Sequence, residues 1–121
     1  MIPVRFRRLL FWGAALFAFV MAVLPHPPEL PGQPSDKLQH MVAFATLGLL
    51  GAWAYAEVAL LQLLLALSLF GAVIELVQAI PVLHRDCDPK DWVADTIACA
   101  VVLLLVTWRR SRWPVERGPT G

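Results

Sequence analysis

The chain has 121 residues, 59% hydrophobic and 16% charged, whereas a soluble domain is about 45–50% apolar and about 25% charged, so the composition is shifted toward a membrane solvent. A net charge of +1, with no basic stripe interleaved with aromatics, excludes a nucleic-acid partner on electrostatic grounds. The length leaves room for a single membrane domain, expected over residues 1–113.

Four apolar segments stand out in chain order, at 9–24, 38–56, 58–80 and 92–108. At about 1.5 Å per residue they reach roughly 24–35 Å, which brackets a hydrocarbon core of about 30 Å. A segment in lipid must satisfy its own backbone groups, so all four are predicted as transmembrane helices. With their polar starts included, the helices are expected at about 9–24, 36–56, 58–80 and 89–108. The fold class is therefore an all-α membrane protein, four transmembrane helices in a compact bundle.

The first helix follows Arg5, Arg7 and Arg8 and is stopped by Pro25-His26-Pro27-Pro28. An Arg-rich start, an apolar stretch and then prolines also describe a secretory signal peptide. No good small-x-small cleavage site sits before Pro25, so a retained span is the expectation. The second helix opens at Ser35-Asp36-Lys37-Leu38-Gln39-His40. Ser35 is a natural N-cap, Asp36 complements the helix dipole and Lys37 can snorkel. His40 is harder to assign to capping, since it lies about 8 Å into the helix. The plain alternative is a buried, neutral, hydrogen-bonded imidazole.

Tyr55-Ala56-Glu57 reads as a tight connection into the third helix. That helix carries Gly71, Glu75 and Gln78 on one stripe of an otherwise apolar cylinder. Gly71 admits a close neighbour there. Glu75 sits roughly 8 Å below the helix end, and its plain alternative is a structural interhelical hydrogen bond. The fourth helix begins at Asp88-Pro89-Lys90-Asp91, with Asp88 as N-cap, proline at the first helical position and Asp91 as the acid of a capping box. Capping does not explain Asp95, one turn beyond Asp91 on the same face. The tail 114–121, with Pro114, Gly118 and Pro119, is predicted to be disordered.

Positive charge sets the expected orientation. Arg5, Arg7, Arg8, Arg109, Arg110, Arg112 and Arg117 lie at the two termini, against Lys37, Arg85 and Lys90 in the first and third loops. Both termini are then cytoplasmic, and loops 25–37 and 81–91 are extracytoplasmic. Trp12, Trp53, Trp108 and Trp113 fall near the inner boundary and Trp92 near the outer one. The inner loop at Glu57 carries no basic residue. Cys87 falls in a polar loop and Cys99 deep in an apolar segment, so no disulfide between them is expected.

An ionised carboxylate in hydrocarbon is costly and is kept for a partner or a task. His40, Glu75 and Asp95 are expected at matched depth, about 8–10 Å beneath the outer surface. Asp36, Lys37, Gln78, Arg85, Asp88 and Asp91 sit nearer the rim of one shared, outward-open pocket. His84-Arg85-Asp86-Cys87-Asp88 is too crowded for usual ligand spacing, so neither a metal nor another cofactor is expected.

These positions resemble the VanZ-like family of small bacterial membrane proteins, named for a teicoplanin-resistance protein. Asp36-Lys37-x-x-His40 is similar to its DKxxH start and Glu75-x-x-Gln78 to its ExxQ. Arg85, Asp88, Asp91 and Asp95 follow its R-x2-D-x2-D-x3-N spacing, with Asp95 where asparagine is usual and Ala98 where glycine is common. The resemblance covers roughly half the chain, from Asp36 to about Ala98. It implies a polytopic bacterial inner-membrane protein linked to the cell envelope or to glycopeptide resistance.

Three functions follow as expectations. The first is a non-enzymatic pocket for a membrane-lipid head group or a phosphate-bearing cell-wall precursor, with Lys37 and Arg85 pairing the phosphate and Asp36, His40, Glu75, Gln78, Asp88, Asp91 and Asp95 completing the site. The second is a small subunit or assembly factor of a membrane complex, which adds a protein partner; proton-coupled transport belongs to the same group but lacks an inverted repeat. The third is a membrane-embedded enzyme using His40 with Glu75 or Asp95 as acid and base on a lipid-linked substrate.

Overall fold

The computed structural model describes residues 2–23, 36–81 and 89–112, with only the backbone of Asp36 and Lys37. They form four helices: α1 (Val4–Val23), α2 (Asp36–Ala54), α3 (Leu60–Gln78) and α4 (Pro89–Arg112). Three of them, α1, α3 and α4, are long and apolar enough to cross a membrane; the apolar part of α2, Leu38–Ala54, is shorter. Ser35 and Asp88, expected as caps, and the tail 114–121 lie outside the described residues.

The ends differ from the apolar segments for identifiable reasons. α1 starts at Val4 rather than near residue 9, because the Pro3 carbonyl accepts from the amides of Phe6 and Arg7 and closes a first turn. α4 runs on to Arg112, since arginine is a good helix former and suits the negative end of the dipole. Apolarity alone misses both basic extensions. The α2–α3 connection is longer than the Tyr55-Ala56-Glu57 turn: Val58 donates to the Tyr55 carbonyl and Ala59 is extended, at φ −61° and ψ 137°.

α2 packs against all three other helices, most extensively against α4. Its buried side chains Phe44, Leu47, Ala52 and Ala54 meet Leu63, Leu67 and Ile74 of α3, Cys99 and Leu103 of α4, and Phe11 and Ala15 of α1. Glycines set the closest approaches. At Gly51, the position a Cβ would take is 3.2 Å from Phe11 Cε2; at Gly48 it is 3.4 Å from Cys99 Sγ. The outward faces stay apolar: Leu16, Phe17, Leu61, Leu65, Leu69, Leu76, Leu104 and Leu105 are exposed. Leucines recurring every turn on the outside are the arrangement lipid requires, and water would leave them as a large apolar patch.

One end of the bundle is built from arginine and aromatic side chains. Arg8 of α1 pairs with Glu57 at 2.7 Å and lies 4.5 Å over the Tyr55 ring, while Trp12 Nε1 donates to the Tyr55 hydroxyl at 2.7 Å. Arg110 of α4 donates to the Ala52 carbonyl at 3.0 Å. The start of α1, the end of α4 and the α2–α3 connection therefore share one end. The end of α1, the start of α2, the end of α3 and the start of α4 share the other.

Candidate functional site

The second end collects the ionisable groups. His40 stands one turn into α2, Glu75 one turn before the end of α3, and Asp91 and Asp95 on the first two turns of α4. One nitrogen of His40, one oxygen of Glu75 and one of Asp91 all lie within 4.8 Å of one another. His40 Nδ1 is 3.9 Å from Asp95 Oδ2. Asp91 and Glu75 both act electrostatically on Asp95. Four titratable groups from three helices thus meet at one place.

Their positions follow from helical period. On α3, Leu63, Leu67, Gly71, Ile74, Glu75 and Gln78 are the buried stripe, and on α4 Asp95, Cys99 and Leu103 are. The polar members continue stripes that are apolar deeper in the bundle, so they turn toward the centre rather than toward the outward leucines. Glu75 is 6% exposed and Asp95 2%. Asp95 Oδ1 has no hydrogen-bond partner among the described residues.

One turn deeper lies an aromatic layer. Gly71, one turn before Glu75, leaves a notch: the position of a Cβ there is 3.3 Å from both Phe44 Cζ and Trp92 Cδ1. Phe44 follows His40 by one turn and packs on Phe70, with ring centroids 5.9 Å apart; Phe70 in turn packs on Phe19 of α1. Trp92 Nε1 donates to the Ser68 carbonyl at 2.9 Å, and the Ser68 and Thr96 hydroxyls share a hydrogen bond of 3.1 Å. The notch in α3 thus holds α4 in the register that brings Asp91 and Asp95 to Glu75.

The other expected residues fall differently. Asp91, read as a rim and capping residue, reaches into the cluster. Gln78 is buried but turns toward α1, its Nε2 donating to the Ala22 carbonyl at 2.9 Å. Its contribution within the described residues is to fasten α3 to α1. The side chains of Asp36 and Lys37, together with Arg85 and Asp88, lie outside the described residues, as do residues 84–88 as a whole. The positioning roles of Phe44 and Trp92 were not read from the sequence. The spacing of Gly71 to Glu75 and of Phe44 to His40, one turn each, was the available signal.

Fold and site together define a class: an all-helical bundle, consistent with a membrane protein, with an acid-rich cluster completed by histidine buried at one end. No family model, no curated protein and no solved structure matches this chain.

Proposed function

We propose that this chain is a VanZ-like integral protein of the bacterial inner membrane whose polar cluster receives the head group of a membrane lipid or a cell-wall precursor. In this reading all four helices span, both termini are cytoplasmic and the cluster opens outward. The convergence of His40, Glu75, Asp91 and Asp95 from three helices is the observation that carries it. Those residues belong to all three motifs of the resemblance. Ionisable groups gathered inside a bundle, rather than scattered on its surface, mark a site where a polar guest replaces water.

The shorter α2 fits as the fourth span because α2 contacts every other helix. A span wrapped by protein needs less apolar length of its own than one facing lipid, and a modest mismatch costs only fractions of a kcal/mol per Å. Orientation rests on the charge bias of the termini. Lys37 and Arg85 carry the positive charge that a phosphate requires.

The test is binding of phosphate-bearing lipid to the purified chain in nanodiscs. Arg85→Ala is expected to weaken binding more than Asp91→Asn does. Equal binding by wild type and Arg85→Ala refutes the head-group reading. His40 beside a carboxylate is also the arrangement of an acid–base pair, so the same preparations are assayed for lipid turnover; a His40→Ala variant of full activity removes that second reading.

A further inference from the structure

We propose that His40, Glu75, Asp91 and Asp95 form a binding site for one divalent transition-metal ion of the Zn2+ or Mn2+ class. This goes beyond the head-group reading and does not depend on it. The sequence suggested no metal because its only crowded group of candidate ligands lies at 84–88. The four side chains assembled here come from three different helices, at positions 40, 75, 91 and 95.

The geometry is near that of a coordination shell. An ion bonded at about 2.0–2.2 Å to imidazole nitrogen and carboxylate oxygen holds its ligand atoms roughly 3–4 Å apart. The three ligand atoms of His40, Glu75 and Asp91 lie within 4.8 Å of one another. Side-chain rotation by less than about an ångström closes that difference. Asp95 supplies the independent observation. It is 2% exposed, its Oδ1 has no hydrogen-bond partner among the described residues, and its Oδ2 faces His40 at 3.9 Å.

Charge argues the same way. A dication between Glu75, Asp91 and Asp95 is attracted by all three carboxylates, and an imidazole nitrogen completes its donor set. The donor set selects the ion. One nitrogen with carboxylate oxygens suits Zn2+ or Mn2+, whereas Ca2+ and Mg2+ favour sites made of oxygen alone. Cys99, one turn beyond Asp95, is packed against Gly48 and is not part of the set. Phe44, one turn deeper than His40 on α2, is buried beneath the site.

The experiment uses the full chain in detergent, stripped with a chelator and titrated with Co2+, whose visible bands report coordination, and then with Zn2+. Uptake of one Co2+ per chain, its displacement by Zn2+ and indifference to equal Mg2+ are expected. Asp91→Asn and His40→Gln each weaken uptake about tenfold or more, while Glu57→Gln at the opposite end binds as wild type. Helical circular dichroism and a single monodisperse species establish folding of each variant. Should His40→Gln fail to fold, Asp91→Asn, at a partly buried position on the first turn of α4, still decides the matter. No stoichiometric uptake by the folded wild type, or wild-type affinity in both Asp91→Asn and Asp95→Asn, overturns the proposal. Uptake of the ion without any binding of phosphate-bearing lipid leaves the metal site standing and refutes the head-group reading.

Discussion

His40 on α2 and Asp95 on α4 face one another across the bundle, Nδ1 of the one 3.9 Å from Oδ2 of the other. The separation is too long for a hydrogen bond and short enough for strong electrostatic coupling. It ties together the two helices that share the largest contact, at the end where the acids collect.

Asp95→Asn replaces a buried carboxyl, desolvated and set beside Asp91 and Glu75, with a neutral amide of the same shape. Like charges packed together at low dielectric destabilise the fold that holds them. In the presence of chelator the variant is expected to melt a few degrees above wild type, a gain of about 1 kcal/mol giving roughly 4 °C in a chain of this size. Thermal unfolding in detergent measures it. A lower melting temperature than wild type contradicts the account of crowded charge.

Gly71 of α3 packs beneath side chains of both α2 and α4. Its Cβ would stand 3.3 Å from Phe44 Cζ and Trp92 Cδ1, tighter than ordinary carbon–carbon contact, so both rings must shift. Overpacking of this kind typically costs about 1–3 kcal/mol. Gly71→Val is expected to lower the unfolding midpoint by that amount and, by displacing α4, to weaken ligand uptake at the cluster. A variant as stable as wild type with unchanged uptake shows the notch to be dispensable.

Gln78 holds α3 to the last turn of α1 through the Ala22 carbonyl. Gln78→Ala removes the donor, and a hydrogen bond of this type contributes about 1 kcal/mol net. Gln62 lies exposed on the same helix, so Gln62→Ala serves as the comparison and is expected to change nothing. Equal stabilities for the two variants count against the tether.

The Arg8–Glu57 pair is short, but its side chains are 40% and 63% exposed. Exposed ion pairs contribute about 0.2–1 kcal/mol and fade as salt screens them. Glu57→Gln should therefore cost less than about 1 kcal/mol at low ionic strength and nothing measurable at high ionic strength. Arg8→Ala is expected to cost more, because Arg8 also lies over the Tyr55 ring and donates to the Ala54 carbonyl. Chemical unfolding at two salt concentrations separates the contributions.

The orientation in the proposed function has a direct check in the two native cysteines. Cys99 is buried at 1% exposure, whereas Cys87 belongs to the loop assigned to the outside. A membrane-impermeant maleimide applied to intact spheroplasts is expected to label Cys87 and to leave Cys99 untouched until the protein is denatured. Labelling of Cys87 only after the membrane is opened reverses the topology.

Length, hydropathy and breakers determined the four helices, because backbone satisfaction in an apolar solvent leaves a chain of this composition little besides helix. Period placed Gly71, Glu75 and Gln78 on one stripe, and all three are buried. Spacing also put His40, Glu75 and Asp95 at similar depths. It did not determine which stripes face each other, since the period within a helix carries no information about the rotation of its neighbour. Only packing decided that Asp91 turns into the cluster and that Gln78 turns to α1. Packing likewise set Trp92 into the Gly71 notch, where its indole donates to the backbone of α3. The basic ends of α1 and α4 were missed because arginine is read as a boundary of apolarity, although it continues a helix well.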